Sequence, residues 1–350
     1  MIVINARFLT QPITGVQRFA VEISKILKKE LGDKVQFVTP PSILHNKLAA
    51  ELEAKKIGYN KSHIWEQIDL YSYLLKNNSP LLISFGYTGP LLYKRQIISV
   101  HDMAFKYYKE TFSRGFSMIY NFMVPKIARR CLHVFTVSNA SKKDICKELK
   151  ISSEKVSVVY NGLTEVFKKE ALNSNRINQK EKYLLTVSSH HPRKNYQRLI
   201  KAFSVIKDKS LKLYIVGNKI SHFSDELGNS SSDYNGRIKF LSNVTDKELV
   251  SYYENALLFV FPSLYEGFGI PVIEAMSKGL PCVISDIPVF KEIGDESVIY
   301  VDPNNVNSIA DGIERGLKLE GKRITYQKLD TFNWENSTDV VIEIINKYKN

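Results

Sequence analysis

Two glutamates flank a glycine-rich turn in the run SLYEGFGIPVIEAMSKG, which spans residues 263–279. Glu266 stands directly before the Gly-Phe-Gly triplet, and Glu274 follows the triplet closely. A carboxylate accepts hydrogen bonds from hydroxyl groups, often from two at once. A ligand with vicinal hydroxyls on both sides of a phosphate, such as a nucleotide sugar, would satisfy both acids. For either acid alone, a capping or helix-dipole role without a ligand remains the alternative.

The turn between the two acids has the composition of an anion-binding helix start. The apolar run LLFVFPS before it predicts a buried strand, and Pro271 suits the first turn of a helix, so we predict a helix that begins near Ile270. Gly267 and Gly269 let the backbone approach an anion closely. The N–H groups of Phe268, Gly269 and Ile270 are then expected to face that anion at the positive end of the helix dipole.

The composition is that of a folded protein with two domains. Of the 350 residues, 44% are hydrophobic and 24% are charged. The three cysteines form no CxxC pair and have no histidine at metal-ligand spacing, so we predict no disulfide framework and no zinc site, which suits a reducing cytoplasm. The first apolar run breaks at Arg7 and has no basic leader, and no apolar stretch is long enough for a membrane span. We therefore expect neither a signal peptide nor a spanning helix.

The formal net charge of +13 calls for an anionic partner or a solvated, lysine-rich surface. Basic residues gather near residue 28 and at 106–109, 126–130 and 141–150, all in the first half of the chain. No zinc-finger, helix-turn-helix or RNA-binding signature accompanies these clusters. We therefore expect the N-terminal half to meet an anionic surface or substrate.

Short β-branched runs alternate with amphipathic stretches along the chain, which is the pattern of parallel sheets covered by helices. We predict an α/β protein with two Rossmann-like, doubly wound domains. The domains span 1–163 and 182–332, and a polar linker over 164–181 joins them. We predict a C-terminal helix over 333–350 that packs on one of the two units. Packing back on the N-terminal domain is one alternative. Such domains bind ligands at the carboxyl ends of their strands, so we expect the site in the crevice between the two units.

The stretch PSLYEGFGIPVIEAMSKGLPCVISD resembles the signature of retaining glycosyltransferases of family 4, in which seven residues separate two glutamates. The resemblance covers most of the chain and is strongest over 182–302. It implies a GT-B fold, in which an acceptor-binding and a donor-binding Rossmann-like domain face each other across a cleft. It also implies that Glu274 holds the ribose hydroxyls and that Glu266 holds those of the donor sugar. The turn N–H groups from Phe268 to Ile270 would bind the distal phosphate or the sugar.

A second stretch, LLTVSSHHPRKNYQRLIKAF, resembles the strand, basic loop and helix with which this family neutralises the donor pyrophosphate. This resemblance places Arg193 and Lys194 on the phosphates. A leaving nucleoside diphosphate gains negative charge as its bond to the sugar breaks, so fixed cations stabilise the transition state most. Many relatives carry an arginine where this chain has Ser188, and Arg193 is expected to supply that charge. A plain surface pair of cations is the alternative.

Two segments of the N-terminal half also resemble the family. The run SVHDMAF puts His101 at the exit of a strand, where family members have a histidine near the donor sugar and the acceptor. Asp102 either orients His101 or caps the next segment. The run ITGVQRF puts Gly15 at the first strand-to-helix turn, which matches a glycine-containing loop near the phosphates and the acceptor. A structural histidine and a simple tight turn are the alternatives.

The resemblance implies an enzyme of bacterial surface polysaccharide or O-antigen assembly. We expect transfer of a hexose or deoxyhexose, with mannose or rhamnose favoured, from a GDP-, dTDP- or UDP-linked donor with retention at the anomeric carbon. His101, Glu266 and Lys194 are the expected catalytic residues, and the departing phosphate is expected to take the proton of the incoming hydroxyl. We expect no metal or other cofactor and no nucleic acid. The acceptor is expected to be a glycan or a lipid-diphosphate-linked saccharide, reached in the cytoplasm or at the inner membrane surface.

Three other protein classes are weaker alternatives. A sugar-nucleotide epimerase of the GT-B fold would share the donor pocket, but it would isomerise the donor and need no acceptor. A nucleic-acid-binding protein would use the positive charge, yet the paired glutamates would repel a phosphate backbone. A Rossmann dehydrogenase would carry a G-x-G-x-x-G motif after its first strand, and none is present there.

Overall fold

A computed structural model describes residues 1–168, 181–189, 191–217 and 236–349. The chain divides into two compact units, of which the first comprises Met1–Gly162 and Asn333–Asn350 and the second comprises Leu163–Phe332. Most of the predicted linker over 164–181 lies outside the described residues. Its described start contains a short helix.

The first unit is built on a parallel sheet of seven strands. The strands are β1 (Ile2–Asn5), β2 (Val35–Thr39), β3 (Lys55–Lys56), β4 (Leu81–Ser84), β5 (Gln96–Ser99), β6 (His133–Thr136) and β7 (Val156–Val158). Their order across the sheet is β3-β2-β1-β4-β5-β6-β7. The short strand β3 lies at one edge of this sheet. Its two exposed lysines protect the sheet edge from further pairing.

Helices connect these strands. They are α1 (Gly15–Leu31), α2 (Asn46–Glu51), α3 (Ser62–Trp65), α4 (Tyr71–Lys76), α5 (Ala104–Tyr107), α6 (Arg114–Arg130) and α7 (Asn139–Leu149). A π-helical segment, Glu66–Leu70, joins α3 to α4. Ser138 is the N-cap of α7, and its side chain accepts a hydrogen bond from the Ser141 N–H group.

In its described ranges, the second unit repeats this design with six parallel strands. The strands are β8 (Tyr183–Val187), β9 (Lys212–Val216), β10 (Ile238–Leu241), β11 (Leu258–Phe261), β12 (Cys282–Ser285) and β13 (Ile299–Val301). The helices are α8 (Glu165–Lys168), α9 (Tyr196–Ser204), α10 (Asp246–Asn255), α11 (Ile270–Ser277), α12 (Pro288–Ile293) and α13 (Val306–Leu317). The strand order is β10-β9-β8-β11-β12-β13.

In both sheets, the strand order reverses at one point. In the first sheet, the strand order runs outward from β1 to β3, and the chain then crosses to β4 on the other side of β1. In the second sheet, the order runs outward from β8 to β10, and the chain then crosses to β11 on the other side of β8. The central strands β1, β4, β5 and β6 of the first sheet and β8, β11 and β12 of the second are fully buried, as expected for parallel strands covered on both faces. The prediction of an α/β protein with two doubly wound sheets is confirmed. Ligands of such sheets bind beside the reversal point, at the carboxyl ends of the strands.

The C-terminal helix α14 (Trp334–Tyr348) belongs to the first unit. The Ser337 hydroxyl donates to the Tyr160 carbonyl at 2.7 Å. At Gly162, an added Cβ would lie 2.6 Å from the Trp334 backbone nitrogen, so the chain passes α14 too closely for a side chain. Of the two alternatives for this helix, the return to the N-terminal unit is the one observed.

Candidate active site

Helix α11 begins where the sequence predicts it. Gly269 is its N-cap, with φ at +112°, and an added Cβ would lie 2.7 Å from the Cε1 atom of Phe290. Both the backbone conformation and this neighbour therefore require glycine. Ile270 and Pro271 form the first turn, so the positive end of the α11 dipole faces the loop that contains Glu266.

Arg193 and Lys194 both bind the carboxylate of Glu266. Arg193 Nη1 lies 2.8 Å from Oε2, and Lys194 Nζ lies 2.5 Å from Oε1. The exposed fractions of Lys194 and Glu266 are only 7% and 8%. The Lys194 ammonium group also lies 5.2 Å from the ring centroid of Phe261. With two positive charges and one negative charge, this buried cation cluster of Arg193, Lys194 and Glu266 keeps one net positive charge.

A left-handed turn holds the two cations against the strand exits. Asn195 adopts φ 64°, a conformation that asparagine tolerates better than most residues. Its side-chain amide donates to the carbonyls of Pro262 at 2.9 Å and Pro303 at 2.7 Å. The Leu264 N–H group donates to the Arg193 carbonyl at 2.8 Å. These contacts tie the basic loop to the chain that leaves β11 and β13.

The pKa of Glu266 reflects a balance of opposing effects. Burial alone would raise the pKa, but attraction to Lys194 and then to Arg193 outweighs it and lowers the pKa from 4.5 to about 2. The carboxylate therefore stays ionised throughout the range in which the protein would work. Its negative charge is part of the resting electrostatics of the cation cluster.

Acid should destabilise the protein through Glu266. A folded-state pKa below the unfolded value means that the stabilisation is fully present above about pH 4.5 and is lost as the pH falls toward 2. The corresponding free energy is about 3 kcal/mol. In denaturant titrations at pH 5, 4 and 3, the stability gap between the wild type and Glu266→Gln should narrow steadily. Glu314→Gln, an exposed change on α13, should track the wild type; a constant gap for Glu266→Gln would contradict the assignment.

Glu274 lies in the second turn of α11 and is held by a tyrosine that the sequence analysis did not single out. The Tyr253 hydroxyl donates to Glu274 Oε2 at 3.0 Å, and it also lies 3.3 Å from the Pro271 carbonyl oxygen. Burial, and then the adjacent carboxylate, raise the pKa of Tyr253 well above 10, so the hydroxyl keeps its proton. This contact fixes the orientation of a carboxylate whose residue is 8% exposed.

Ser188 occupies the position at which the sequence resemblance predicts an arginine. Its carbonyl accepts a hydrogen bond from the Tyr196 hydroxyl at 2.9 Å. An added Cβ at Gly217 would lie 1.8 Å from the same carbonyl oxygen, so the exits of β8 and β9 pack tightly here. Ser188 brings no charge, which leaves Arg193 and Lys194 as the cations of the cluster.

His101 is buried in the first unit, at the end of β5. Its Nε2 atom lies 3.0 Å from the Phe85 carbonyl oxygen, and its ring packs edge-on against Phe19 at 4.9 Å. A carbonyl only accepts hydrogen bonds, so Nε2 carries a proton. Burial lowers the pKa of His101 despite the opposing effects of Phe85 and Asp102. The ring is therefore neutral at pH 7, with Nδ1 as an acceptor.

Asp102 caps the segment that follows it. Its Oδ1 atom accepts hydrogen bonds from the Ala104 N–H group at 2.9 Å and from the Tyr87 hydroxyl at 3.1 Å. Of the two predicted alternatives, this contact is the one observed. Gly15 is the exposed first residue of α1, preceded by the N-cap Thr14. Its predicted role in ligand binding stays a prediction.

The described residues also bear on metal binding. In the described ranges, no three side chains of His, Cys, Asp or Glu are placed to hold a metal ion. His191 instead accepts a hydrogen bond from the Arg193 N–H group at 3.3 Å, while His190 lies outside the described residues. The expectation of a metal-independent site stays a prediction.

Comparisons with known proteins identify a family for both halves of the chain. The family model described as Glycosyltransferase Family 4 matches residues 13–165, and that described as Glycosyl transferases group 1 matches residues 167–330. The chain is 33% identical to O-antigen chain mannosyltransferase RfbU of Salmonella typhimurium over 281 residues, which cover 77% of this chain and 73% of that protein. It is also 33% identical to O-antigen chain mannosyltransferase B of Escherichia coli over 176 residues, which cover 48% and 45% of the two chains.

A solved structure supports the fold over the full length. The crystal structure of Anabaena Alr3699/HepE in complex with UDP and glucose superposes with a TM-score of 0.76. It covers 99% of both chains at 16% sequence identity. At this identity the likeness establishes the architecture and not the ligand.

Proposed function

The chain belongs to glycosyltransferase family 4, the glycosyl transferases group 1, and from this premise we propose that it transfers mannose from a nucleotide-diphosphate sugar to a hydroxyl group of a growing polysaccharide. The predicted family, the GT-B fold and the glycosyltransferase activity are confirmed. Mannose is preferred over rhamnose because both relatives named above are O-antigen mannosyltransferases. An epimerase is not favoured by these relatives.

The observation that carries the proposal is the cation cluster beside the start of α11. We assign the donor diphosphate to Lys194 and Arg193, with the α11 N-terminus contributing its dipole. The ribose hydroxyls are assigned to Glu274, whose carboxylate Tyr253 already holds in place. Because the cluster is buried and its atoms are fixed by hydrogen bonds, its positive charge needs no reorganisation when the leaving diphosphate gains negative charge.

Glu266 has two roles in this proposal. Its two oxygens hold Arg193 and Lys194 in place. A carboxylate offers about four lone-pair directions, so it can also accept a hydrogen bond from the donor sugar. The neutral ring of His101 would offer Nδ1 to a hydroxyl of the sugar or the acceptor. The departing phosphate oxygen then takes the proton of the incoming hydroxyl on the same face of the sugar, and the anomeric configuration is retained.

The proposal is tested with a panel of donors that differ in both the sugar and the nucleotide base. GDP-mannose, UDP-glucose and dTDP-rhamnose would be incubated with polyprenyl-diphosphate-linked saccharides, and the products analysed by mass spectrometry and NMR. We expect transfer from GDP-mannose with an α linkage, at a rate unchanged by EDTA. Isomerisation of a donor without acceptor would support the epimerase, and the absence of transfer from every donor would refute the proposal.

We further propose that the enzyme works at an anionic membrane surface. No helix in the described ranges is long and apolar enough to cross a membrane. Helix α6, however, exposes Met118 by 71%, Ile119 by 37% and Phe122 by 53%. The Lys126 ammonium lies 3.5 Å from the Phe122 ring centroid, and Arg130 is exposed at the end of the same helix. Apolar side chains beside cations suit an interface with anionic lipids.

The segment around Tyr107 suits such a surface less well than the sequence indicates. The Tyr107 hydroxyl donates to Glu148 Oε1 at 3.3 Å, and Lys106 pairs with the same carboxylate at 2.6 Å. The Glu148 carboxylate therefore neutralises the positive charge of Lys106. The membrane proposal is based on α6.

Phe122→Ser should weaken binding to anionic vesicles roughly 10–100-fold. Removing one exposed phenylalanine from a lipid interface costs roughly 1.5–3 kcal/mol of burial. Sedimentation with vesicles of mixed phosphatidylglycerol and phosphatidylethanolamine at low salt would measure the change. Val205→Ser is the matched control, because Val205, the C-cap residue of α9, is an apolar residue that is 60% exposed. This variant should bind like the wild type. A wild type that ignores these vesicles would remove the membrane proposal.

A further inference from the structure

The predicted linker begins with a short helix that packs within the second unit. Helix α8 lies against α10 and α11, the helices that contain Tyr253 and Glu274. Phe167 is the buried residue of α8, with an exposed fraction of only 3%. Gly162 ends the first segment of the first unit, so α8 is the first element that the chain forms in the second unit. The proposed function leaves α8 and Phe167 without a role.

Phe167 packs directly against Tyr253. The two rings meet edge to face, with their centroids 5.6 Å apart and an interplanar angle of 78°. Phe259 of β11 also contacts the Tyr253 ring, with the centroids 5.7 Å apart. Tyr253 is fully buried, so these closely packed neighbours set the position of its ring.

The position of this ring decides where the Tyr253 hydroxyl points. The hydroxyl donates to Glu274 Oε2 at 3.0 Å and lies 3.3 Å from the Pro271 carbonyl oxygen. Both acceptors belong to α11, whose start is assigned to the donor diphosphate and whose Glu274 is assigned to the ribose. The strength of a hydrogen bond depends steeply on distance and angle, so a small shift of the ring would weaken the contact that orients the carboxylate.

A buried cation lies over the ring of Phe167. The Lys278 ammonium is 5.9 Å from the ring centroid and 3.7 Å from Glu254 Oε1. Lys278 is the C-cap residue of α11, and its side chain is only 1% exposed. Phe167 therefore contacts α10 through Tyr253 and the end of α11 through Lys278. A leucine would fill much of the same volume, but it would offer neither an aromatic edge nor a π-face to these two partners.

We propose that Phe167 is a positioning residue for the nucleotide site, which acts through Tyr253 on the Glu274 carboxylate. The proposal rests on the proposed function, and it adds that the first residues of the linker take part in donor recognition. Phe167 fixes the Tyr253 ring, the Tyr253 hydroxyl fixes the carboxylate, and the carboxylate accepts hydrogen bonds from the ribose. Because such coupling is reciprocal, a bound nucleotide also stabilises α8.

The test compares GDP with 2′-deoxy-GDP and 3′-deoxy-GDP by isothermal titration calorimetry. We expect the wild type to bind GDP about tenfold more tightly than either deoxynucleotide, because each of them lacks one hydroxyl that binds the carboxylate. Phe167→Leu and Tyr253→Phe should each weaken GDP binding about threefold to tenfold and reduce this preference to about threefold or less. A residue that only stabilises the fold would affect the three nucleotides equally.

Combining Phe167→Leu with Tyr253→Phe tests whether the two residues act in series. The affinity of this double variant for GDP should match that of Tyr253→Phe within about twofold, because the ring position no longer affects Glu274 once the hydroxyl is absent. Phe203→Leu is the matched control. Phe203 is a buried phenylalanine of α9 in the same unit, where the Arg237 guanidinium lies 4.4 Å from its ring centroid. This control should keep the wild-type preference for GDP, and melting temperatures would verify that all variants fold.

Hydrogen exchange followed by mass spectrometry gives a second readout. The Phe167 and Lys168 N–H groups donate to the Thr164 carbonyl at 2.8 and 3.1 Å, so their exchange reports on α8. Saturating GDP should slow this exchange in the wild type and should slow it less in Tyr253→Phe.

Three results would overturn the inference about Phe167. They are an unchanged preference for GDP over the deoxynucleotides in Phe167→Leu, losses of GDP affinity that add fully in the double variant, and exchange of the α8 amides that GDP does not slow. Each of these results leaves the proposed function intact. A wild type that binds none of the three nucleotides would instead overturn the proposed function together with this inference, and the donor panel would show that failure separately.

Discussion

Replacing Lys194 by methionine is expected to lower kcat for mannose transfer about 10²–10³-fold, the range found when one preorganised donor to a developing charge is removed. The Lys194 ammonium is buried and held 2.5 Å from Glu266, so it acts at a fixed position. It stabilises the charge that appears on the leaving diphosphate more than the charge of the bound donor. We therefore expect kcat and kcat/KM to fall together in steady-state assays with GDP-mannose.

The matched control is Lys201→Met, a change of the same type on the exposed side of α9. It should leave kcat within about twofold of the wild type, as is usual for exposed sites. Lys194→Arg should recover part of the loss, because it restores a cation beside Glu266. Melting curves would show whether the variants are folded under the assay conditions. A loss smaller than about fivefold in Lys194→Met would contradict the assignment of Lys194 to the leaving group.

Replacing Glu274 by glutamine is expected to weaken GDP binding about 10–100-fold, because hydrogen bonds to a charged group contribute roughly 1.5–3 kcal/mol. In the wild type, the Tyr253 hydroxyl donates to Glu274 Oε2 at 3.0 Å. The amide oxygen of the glutamine can still accept this hydrogen bond, so local packing should survive. What is lost is the charge that strengthens the hydrogen bonds from the ribose hydroxyls. Isothermal titration calorimetry with GDP measures the effect directly.

Glu314→Gln is the control for this change. It neutralises an exposed carboxylate on α13 of the same unit and should leave the Kd for GDP unchanged. Equal Kd values for the wild type and Glu274→Gln would remove Glu274 from the nucleotide site. A lower melting temperature of Glu274→Gln without GDP would point instead to a purely structural carboxylate.

The local elements of the site could be predicted from the sequence because their signals are local. Gly269 and Pro271 specify the start of α11 through backbone conformation, and the structure has the helix there. Arg193 and Lys194 stand together in the sequence, so their proximity needed no folding argument. The alternation of apolar and amphipathic runs likewise predicted two doubly wound sheets.

The contacts that join distant segments could not be predicted. Glu266 pairs with two cations more than seventy positions away, at separations of 72 and 73 residues. The sequence suggested hydroxyl binding for this carboxylate, and nothing in its spacing indicated that both oxygens hold cations. Tyr253 is a similar case, because a tyrosine in a helical run gives no sign that its hydroxyl reaches Glu274.

The buried ion pair of Arg7 and Glu66 in the first unit is the largest omission. In the sequence, Arg7 only interrupts an apolar run, and Glu66 stands in an unremarkable segment. Their pairing across 59 residues depends on the π-helical segment that brings Glu66 to the end of β1. Only the three-dimensional arrangement turns these two residues into one buried ion pair.

The central claim is that the start of α11 and the cation cluster hold a nucleotide-diphosphate sugar. A crystal structure of the protein soaked with GDP-mannose tests it most directly. We expect phosphate oxygens within about 3 Å of the Lys194 ammonium and the Arg193 guanidinium, and ribose hydroxyls within about 3 Å of the Glu274 carboxylate. Nucleotide density elsewhere, with these three side chains making no contact to it, would contradict the account.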